Sequence, residues 1–295
     1  MPEMDLDRKS PLNGTMAAYA QQMLISTGKD DWTSRIEDED DAGFIKGLKG
    51  LLGRGGQFSD PFHNVMLTNS SFPPSTPPAS STTTMTTASA YLFPSFRYIP
   101  SIPLSPPSIQ AFTQGFLLPR QLHSAHDTLP HSTREMLQQK RHHRAQFAGV
   151  RDVKEVVVLI CGHGGRDQRC GIMGPLLRAE FETALRRSGF DTLRDAHPMA
   201  APADPEASSS NPQARVGLIS HIGGHKFAGN VIIYIPPSFK DHGEKDTTLA
   251  GTGIWYGRVE PRHVEGIVEQ TVMKGIVIEE LFRGGVGKGG RVFRI

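Results

Sequence analysis

VVVLICGHGGRDQRCGIMGPLLRAEFETALRRS, residues 156–188, decides how this chain is read. Val156 to Ile160 is a continuous Val-rich apolar run, the pattern of a central strand buried on both faces. It feeds a glycine-rich loop, Cys161 to Gly174. Pro175 then opens an amphipathic helix to about Ser188, with Leu176, Leu177, Phe181 and Leu185 near one face and Gly189 as its stop. Downstream, Val216 to Ser220, Asn230 to Tyr234 and Ile254 to Val259 read as strands, and Pro261 begins a helix through about Lys274.

The same order of elements recurs upstream. Met23 to Ile25 leads into Ser26-Thr27-Gly28-Lys29-Asp30, a helix follows over Gly43 to Leu52, Val65 to Thr68 and Tyr91 to Tyr98 read as strands, and Ile109 to Leu118 as a helix. Strand, loop, helix, strand, strand, helix is a thioredoxin-like order. The expected fold class is therefore α/β, with two thioredoxin-like halves in tandem, a degenerate duplication. The expected boundaries are residues 1–122 for the first half, 123–149 for a polar linker with a short helix around Arg134 to Arg144, and 150–295 for the second half. Two Ser-, Thr- and Pro-rich segments, 72–90 and 197–214, read as surface inserts, and the C-terminal GGVGKGGRVFRI as a tail or a final edge segment.

Bulk composition excludes several classes. Lys and Arg nearly balance Asp and Glu, with net charge +2 and no long single-sign run, so neither nucleic acid nor a membrane surface is an expected partner. No stretch approaches the roughly 18 to 20 apolar residues of a membrane span. The acidic opening MPEMDLDRKS carries no signal or transit peptide pattern, and it runs so directly into patterned sequence that a natural start further upstream stays open. Two cysteines are too few for a disulfide scaffold, and a reducing compartment fits them best.

Both cysteines lie in one loop, CGHGGRDQRC, with eight residues between Cys161 and Cys170, while His221 and His225 stand in HIGGHKF after the next strand. Four soft or borderline ligands thus come from two loops at one end of a sheet, lined by glycines that let the backbone close around a bulky centre. Three readings stay open on these residues. Structural zinc accepts Cys2His2 but usually pairs cysteines two to four residues apart. A [2Fe–2S] centre takes ligands from separate loops on separate irons. The third is metal-free thiol chemistry, although the Cys-x-x-Cys spacing of thiol oxidoreductases is missing.

Other candidates weigh less. His163 reads as an exposed loop residue and is left out of the ligand set, His263 as a turn or cap residue, and His123, His126, His131, His142 and His143 as an irregular polar group. Trp255 and Tyr256 read as packing. Arg166, Arg169 and Lys226 flank the ligands, either as a positive surround or as solvated charges, with Asp167 a partner for one of them. The Gly-rich loop fits neither the dinucleotide fingerprint nor the P-loop, and no paired carboxylates indicate a glycosidase.

The strings LICGHGGRDQRCGIMGPLLRAEFE, GLISHIGGHKFAGNVIIYIP and GIWYGRVEPRHVEGIV, with the upstream DRKSPLNGTMAAYAQQMLISTGKDDWTSRIEDE, resemble the fungal sucrase/ferredoxin-like family, and within it a branch connected with mitochondrial inheritance. The resemblance covers nearly the whole chain. It implies that residues 150–295 form a thioredoxin-like ferredoxin domain whose second cysteine pair is replaced by His221 and His225 at the same spacing. The implied cofactor is a Rieske-like [2Fe–2S] cluster on Cys161, Cys170, His221 and His225. Ser26 stands where the second half has Cys161, so the first half is expected to bind no cluster and to be structural or partner-binding. The implied role is electron transfer or thiol redox quality control in mitochondria, with redox proteins as partners, an electron carrier rather than a substrate-converting enzyme. The alternatives are a zinc-stabilised or metal-free binding module and a thiol oxidoreductase using Cys161 and Cys170. Neutral imidazoles in place of thiolates imply a raised potential, and their second ring nitrogens a potential that falls with rising pH.

Overall fold

Gln21–Ser26 (β1) is buried from its second residue to its last, so it belongs in the middle of a sheet, flanked on both sides. Gly43–Leu52 (α1) and Val65–Ser70 (β2) follow, then Thr87–Phe93 (β3), Arg97–Pro103 (β4) and Pro106–Phe112 (α2). His131–Leu137 (α3) and Arg151–Asp152 (β5) lead across to Val156–Cys161 (β6), Gln168–Arg187 (α4), Asp191–Thr192 (β7) and Gln213–Ile219 (β8). Val231–Ile235 (β9), Thr252–Tyr256 (β10), Pro261–Ile267 (α5), Phe282–Val286 (β11) and Val292–Phe293 (β12) complete the chain. This is a computed structural model, and it describes residues 4–76, 86–199, 211–240 and 247–295.

All twelve strands join one sheet in the order β12-β11-β10-β9-β6-β8-β2-β1-β3-β4-β5, with β7 beside β8. The duplication is written in the pairing. β1 runs parallel to β2 and antiparallel to β3; β6 runs parallel to β8 and antiparallel to β9. Each half is thus a thioredoxin-like α/β unit, with its first strand at the centre. Ser26 ends β1 where Cys161 ends β6.

The halves meet edge to edge. β2 and β8 pair antiparallel at Ser70 and Ile219, and hydrogen bonds extend the seam from Ser71 N to Leu218 O at 2.9 Å and from Ser220 N to Asn69 O at 3.0 Å. The Ser71 and Ser220 hydroxyls accept from Leu218 N and Asn69 N, each at 3.0 Å. A buried polar chain adds a second tie. Trp255 Nε1 donates to Tyr19 Oη at 2.9 Å, the Tyr19 and Tyr234 hydroxyls lie 2.7 Å apart, and Tyr234 donates to Gln22 Oε1 at 2.6 Å. At the opposite end of β6, buried Glu155 accepts from Arg215 Nε at 3.1 Å and from His197 Nε2 at 2.7 Å, with His197 packed against Tyr91 and Tyr98 of the first half.

Several expectations are corrected. The helix after Cys161 starts at Gln168 rather than Pro175, because the Asp167 carboxylate caps it by accepting from Arg169 N at 3.0 Å; Pro175 falls inside it. The run Tyr91 to Tyr98 is two strands, β3 and β4, divided by a turn at Pro94 to Phe96 where Phe96 takes φ 49°. The first-half helix begins earlier, at Pro106, capped by Ser105, and continues past Phe112 as a π-helical turn to Leu117. The linker holds α3 and a separate 3-10 stretch, Arg141–Gln146, instead of one helix. Of the two inserts, Thr87 to Ala90 belongs to β3 and Gln213 to β8, while residues 77–85 and 200–210 lie outside the described residues. The C-terminal segment is a hairpin of β11 and β12, with β12 the outermost strand. Among the described residues no helix is long and apolar enough to cross a membrane.

Candidate metal centre

The four residues singled out in the sequence all lie at one end of the second half. Cys161 is the last residue of β6, and Cys170 sits in the first turn of α4; both are free and essentially inaccessible, at 1 % and 0 % exposure. The Cys170 thiol donates to the Cys161 sulfur. That bond holds the Cys161 thiol well below its usual range against the opposing effect of burial, and His221 adds to the lowering. The same bond, with burial, pushes the Cys170 thiol up.

His221 follows β8, and His225 opens a 3-10 turn after Gly224; their ring centroids lie 5.4 Å apart. His221 is half-buried and its Nδ1 is buried without a hydrogen-bond partner, whereas His225 is exposed. A buried ring nitrogen left unpaired costs about 1–3 kcal/mol unless something outside the chain satisfies it. It stands beside two buried thiols, and sulfur with imidazole nitrogen is a donor set that metal ions accept. No group of three or more His, Cys, Asp or Glu side chains among the described residues is arranged to hold one metal ion.

His163, read as exposed, is buried at 1 %. Its Nδ1 accepts from His221 N at 2.9 Å, so the proton sits on Nε2, which donates to Thr33 O at 2.8 Å and Trp32 O at 3.1 Å. It is a brace between the His221 turn and a first-half loop, with both ring nitrogens engaged. That loop closes on the cysteine loop at a second point, where the Asp31 carboxylate accepts from Gly165 N at 3.1 Å. An N-terminal strap crosses the same end, with Arg258 Nη2 donating to Ser10 O at 2.7 Å and Lys226 paired to Asp7 at 2.8 Å.

The flanking charges are mostly spoken for. Asp167 pairs with Arg169 at 2.9 Å, which settles its partner, and Arg166 donates to Ser34 Oγ at 3.2 Å. His263 accepts from Glu260 N at 3.1 Å in a capping box, and His126 pairs with Asp60 at 2.9 Å. Tyr256 donates to or accepts from Thr271 at 2.6 Å within the core. Sequence reading missed Arg283, a buried cation behind the His221–His225 turn; its only sequence signal is an arginine in the otherwise apolar and glycine run FRGGV.

The fold and this site define a class: tandem thioredoxin-like proteins carrying a thiol and imidazole site at the sheet end of one half. The sucrase/ferredoxin-like pattern matches residues 12–284, and the chain belongs to that family. It is similar to the Altered inheritance of mitochondria protein 32 of Meyerozyma guilliermondii, at 31% identity over 194 residues, 66% of this chain and 55% of that one. The protein of the same name from Debaryomyces hansenii is 29% identical over 290 residues, covering 95% and 88%. That from Clavispora lusitaniae is 40% identical over 131 residues, 43% and 34%. The match thus spans about half the length of the first of these relatives and most of the second. No solved structure matches.

Proposed function

We propose that this chain is a mitochondrial redox protein that binds a [2Fe–2S] cluster through Cys161, Cys170, His221 and His225 and passes electrons to and from partner proteins. The observation that carries the reading is the unpaired, buried Nδ1 of His221 beside two buried, free cysteines that hydrogen-bond each other. Zinc in a structural site needs four donors around a single ion. A binuclear centre asks only two protein donors of each iron, and the side chains come as such pairs: Cys161 with Cys170 by their hydrogen bond, His221 with His225 by ring contact. Bound there, the cluster supplies one-electron chemistry at a potential raised by its imidazole ligands.

The chain's own residues divide the remaining work. Burial of both cysteines keeps water and oxidants from the sulfurs, and His163 fixes the backbone of His221. Exposed His225 gives partner proteins a point of approach. The mitochondrial setting is supported by the names of the similar proteins. A thiol oxidoreductase is the second reading, favoured by the mutual hydrogen bond of Cys161 and Cys170.

Anaerobic purification tests both. A cluster protein is reddish-brown and contains iron and acid-labile sulfide, and His221→Ala or His225→Ala bleaches or shifts its visible spectrum. Colourless protein with neither iron nor sulfide overturns the proposal, and a disulfide between Cys161 and Cys170 that cycles with a thiol reductant then favours the second reading.

A further inference from the structure

Arg283 of β11 lies behind the His221–His225 turn at 2 % exposure. Its guanidinium donates four hydrogen bonds, all to uncharged oxygens. Nε reaches Thr15 Oγ1 at 3.0 Å and Nη2 reaches Thr15 O at 2.8 Å, while Nη1 reaches Gly223 O at 3.2 Å and Asn230 Oδ1 at 2.6 Å. The group is also set over the rings of Phe227, at 5.5 Å, and Trp255, at 5.7 Å. The turn is shaped to admit it: a Cβ on Gly224, which takes φ 74°, would lie 2.6 Å from Nη2. No carboxylate neutralises this charge among the described residues; the opposing charge that acts on it is that of Cys161.

Burying a cation without a counter-ion costs several kcal/mol, and a fold that keeps one does so where negative charge arrives from elsewhere. Here the inference rests on the cluster reading. In an oxidised [2Fe–2S] centre with two thiolates and two neutral imidazoles, the charge of two ferric ions is cancelled by two sulfides and two thiolates. One electron from an external one-electron donor reduces one iron and leaves a single negative charge on the centre. A fixed positive charge a few side chains away opposes nothing in the oxidised state and attracts the added electron in the reduced state.

We propose that Arg283 is a potential-setting residue: its buried charge, paired with no carboxylate, behind the His221–His225 turn favours the reduced form of the centre. It touches neither ligand nor partner, and it works through the field in a low-dielectric interior, so salt in the medium screens it little.

The test is a redox titration of the full chain, wild type against R283Q, R283K and N230D, followed by visible absorption and electron paramagnetic resonance. Wild-type iron and sulfide are measured first; their absence sinks the cluster reading before any variant is made. Given a cluster, R283Q removes the charge, and N230D leaves Arg283 in place but sets a carboxylate at the Oδ1 position 2.6 Å from Nη1. Both are expected to lower the midpoint potential so that the equilibrium constant for reduction falls at least tenfold, about 59 mV for one electron. R283K, which keeps the charge, is expected to stay within threefold of wild type. Cluster-bearing R283Q and N230D that both remain within threefold of wild type overturn the proposal. So does loss of the cluster from both, which would make Arg283 a structural residue only.

Discussion

Replacing Gly165 by alanine tests the clasp through which the first half covers the cysteine loop. A Cβ at Gly165 would lie 2.1 Å from Trp32 O, against 3.4 Å for an ordinary contact, so the two loops must part by about 1.3 Å. The obstacle is backbone and cannot swing aside. Three contacts cross the same gap: Gly165 N to Asp31 at 3.1 Å, and His163 Nε2 to Thr33 O at 2.8 Å and Trp32 O at 3.1 Å. Overpacking of this kind costs about 1–3 kcal/mol, stretched hydrogen bonds included, so the closed clasp should lose about 2 kcal/mol. Cys161 and Cys170 are 1 % and 0 % exposed, and a thiol reagent reaches them only through local opening. With each 1.4 kcal/mol worth about tenfold, labelling of the chelator-treated chain should accelerate about thirtyfold in G165A. Labelling within threefold of wild type would refute the idea that this clasp guards the thiols.

Two further outcomes follow from the buried polar groups. Burial alone would raise the Glu155 carboxyl, but the hydrogen bond from His197 and the charges of His197 and Arg215 bring it down to about 2. A depressed carboxyl stabilises the fold above its ordinary value near 4.5, by about 3 kcal/mol here, and that contribution is lost as pH falls through about 2. E155Q should therefore destabilise the protein by about 3–5 kcal/mol at neutral pH, leaving Arg215 without its partner, and should flatten the loss of stability between pH 4.5 and 2. Urea unfolding across pH checks both; an unchanged acid limb counts against the assignment. Y234F strips one hydroxyl from the Tyr19–Tyr234–Gln22 chain and leaves Gln22 Oε1 without its donor, for a loss of about 1–3 kcal/mol in one cooperative urea transition.

Where the sequence was legible, one force dominated the local pattern. Gly43 to Leu52 is a helix from end to end because Phe44, Ile45 and Leu48, with Leu51 and Leu52 beside them, give it a face to bury, and Val156 to Ile160 could only be an inner strand. Where two forces competed, the reading failed. Pro175 looks like a helix start, but the Asp167 cap eight residues earlier outweighs it, which carries Cys170 from the loop into the helix. YLFPSFRYIP is mostly apolar, with only Ser95 and Arg97 polar, and hides the turn that separates β3 from β4. The four candidate residues were visible because the chain has only two cysteines and they sit, like His221 and His225, in a short glycine-rich stretch. Their surroundings were not, since His163, Asp31 and Arg283 reach the site from 58 residues away in the case of the His163 bond to His221 N, and from 134 for Asp31 to Gly165. No local pattern encodes such distances.

The seam between β2 and β8 explains why a half that lacks the cysteines persists. Cut apart, either half would present a rim of bare peptide groups along its outermost long strand, a template on which further copies could stack without end. Joined in one polypeptide, the two rims cover each other where they meet, at Ser70 and Ile219 and the bonds beside them, and among the described residues the strand order ends at two-residue strands, β5 and β12. The duplication works as a dimer that can never dissociate. Its quieter member carries Ser26 where the other has Cys161, and still supplies the strand that β8 meets.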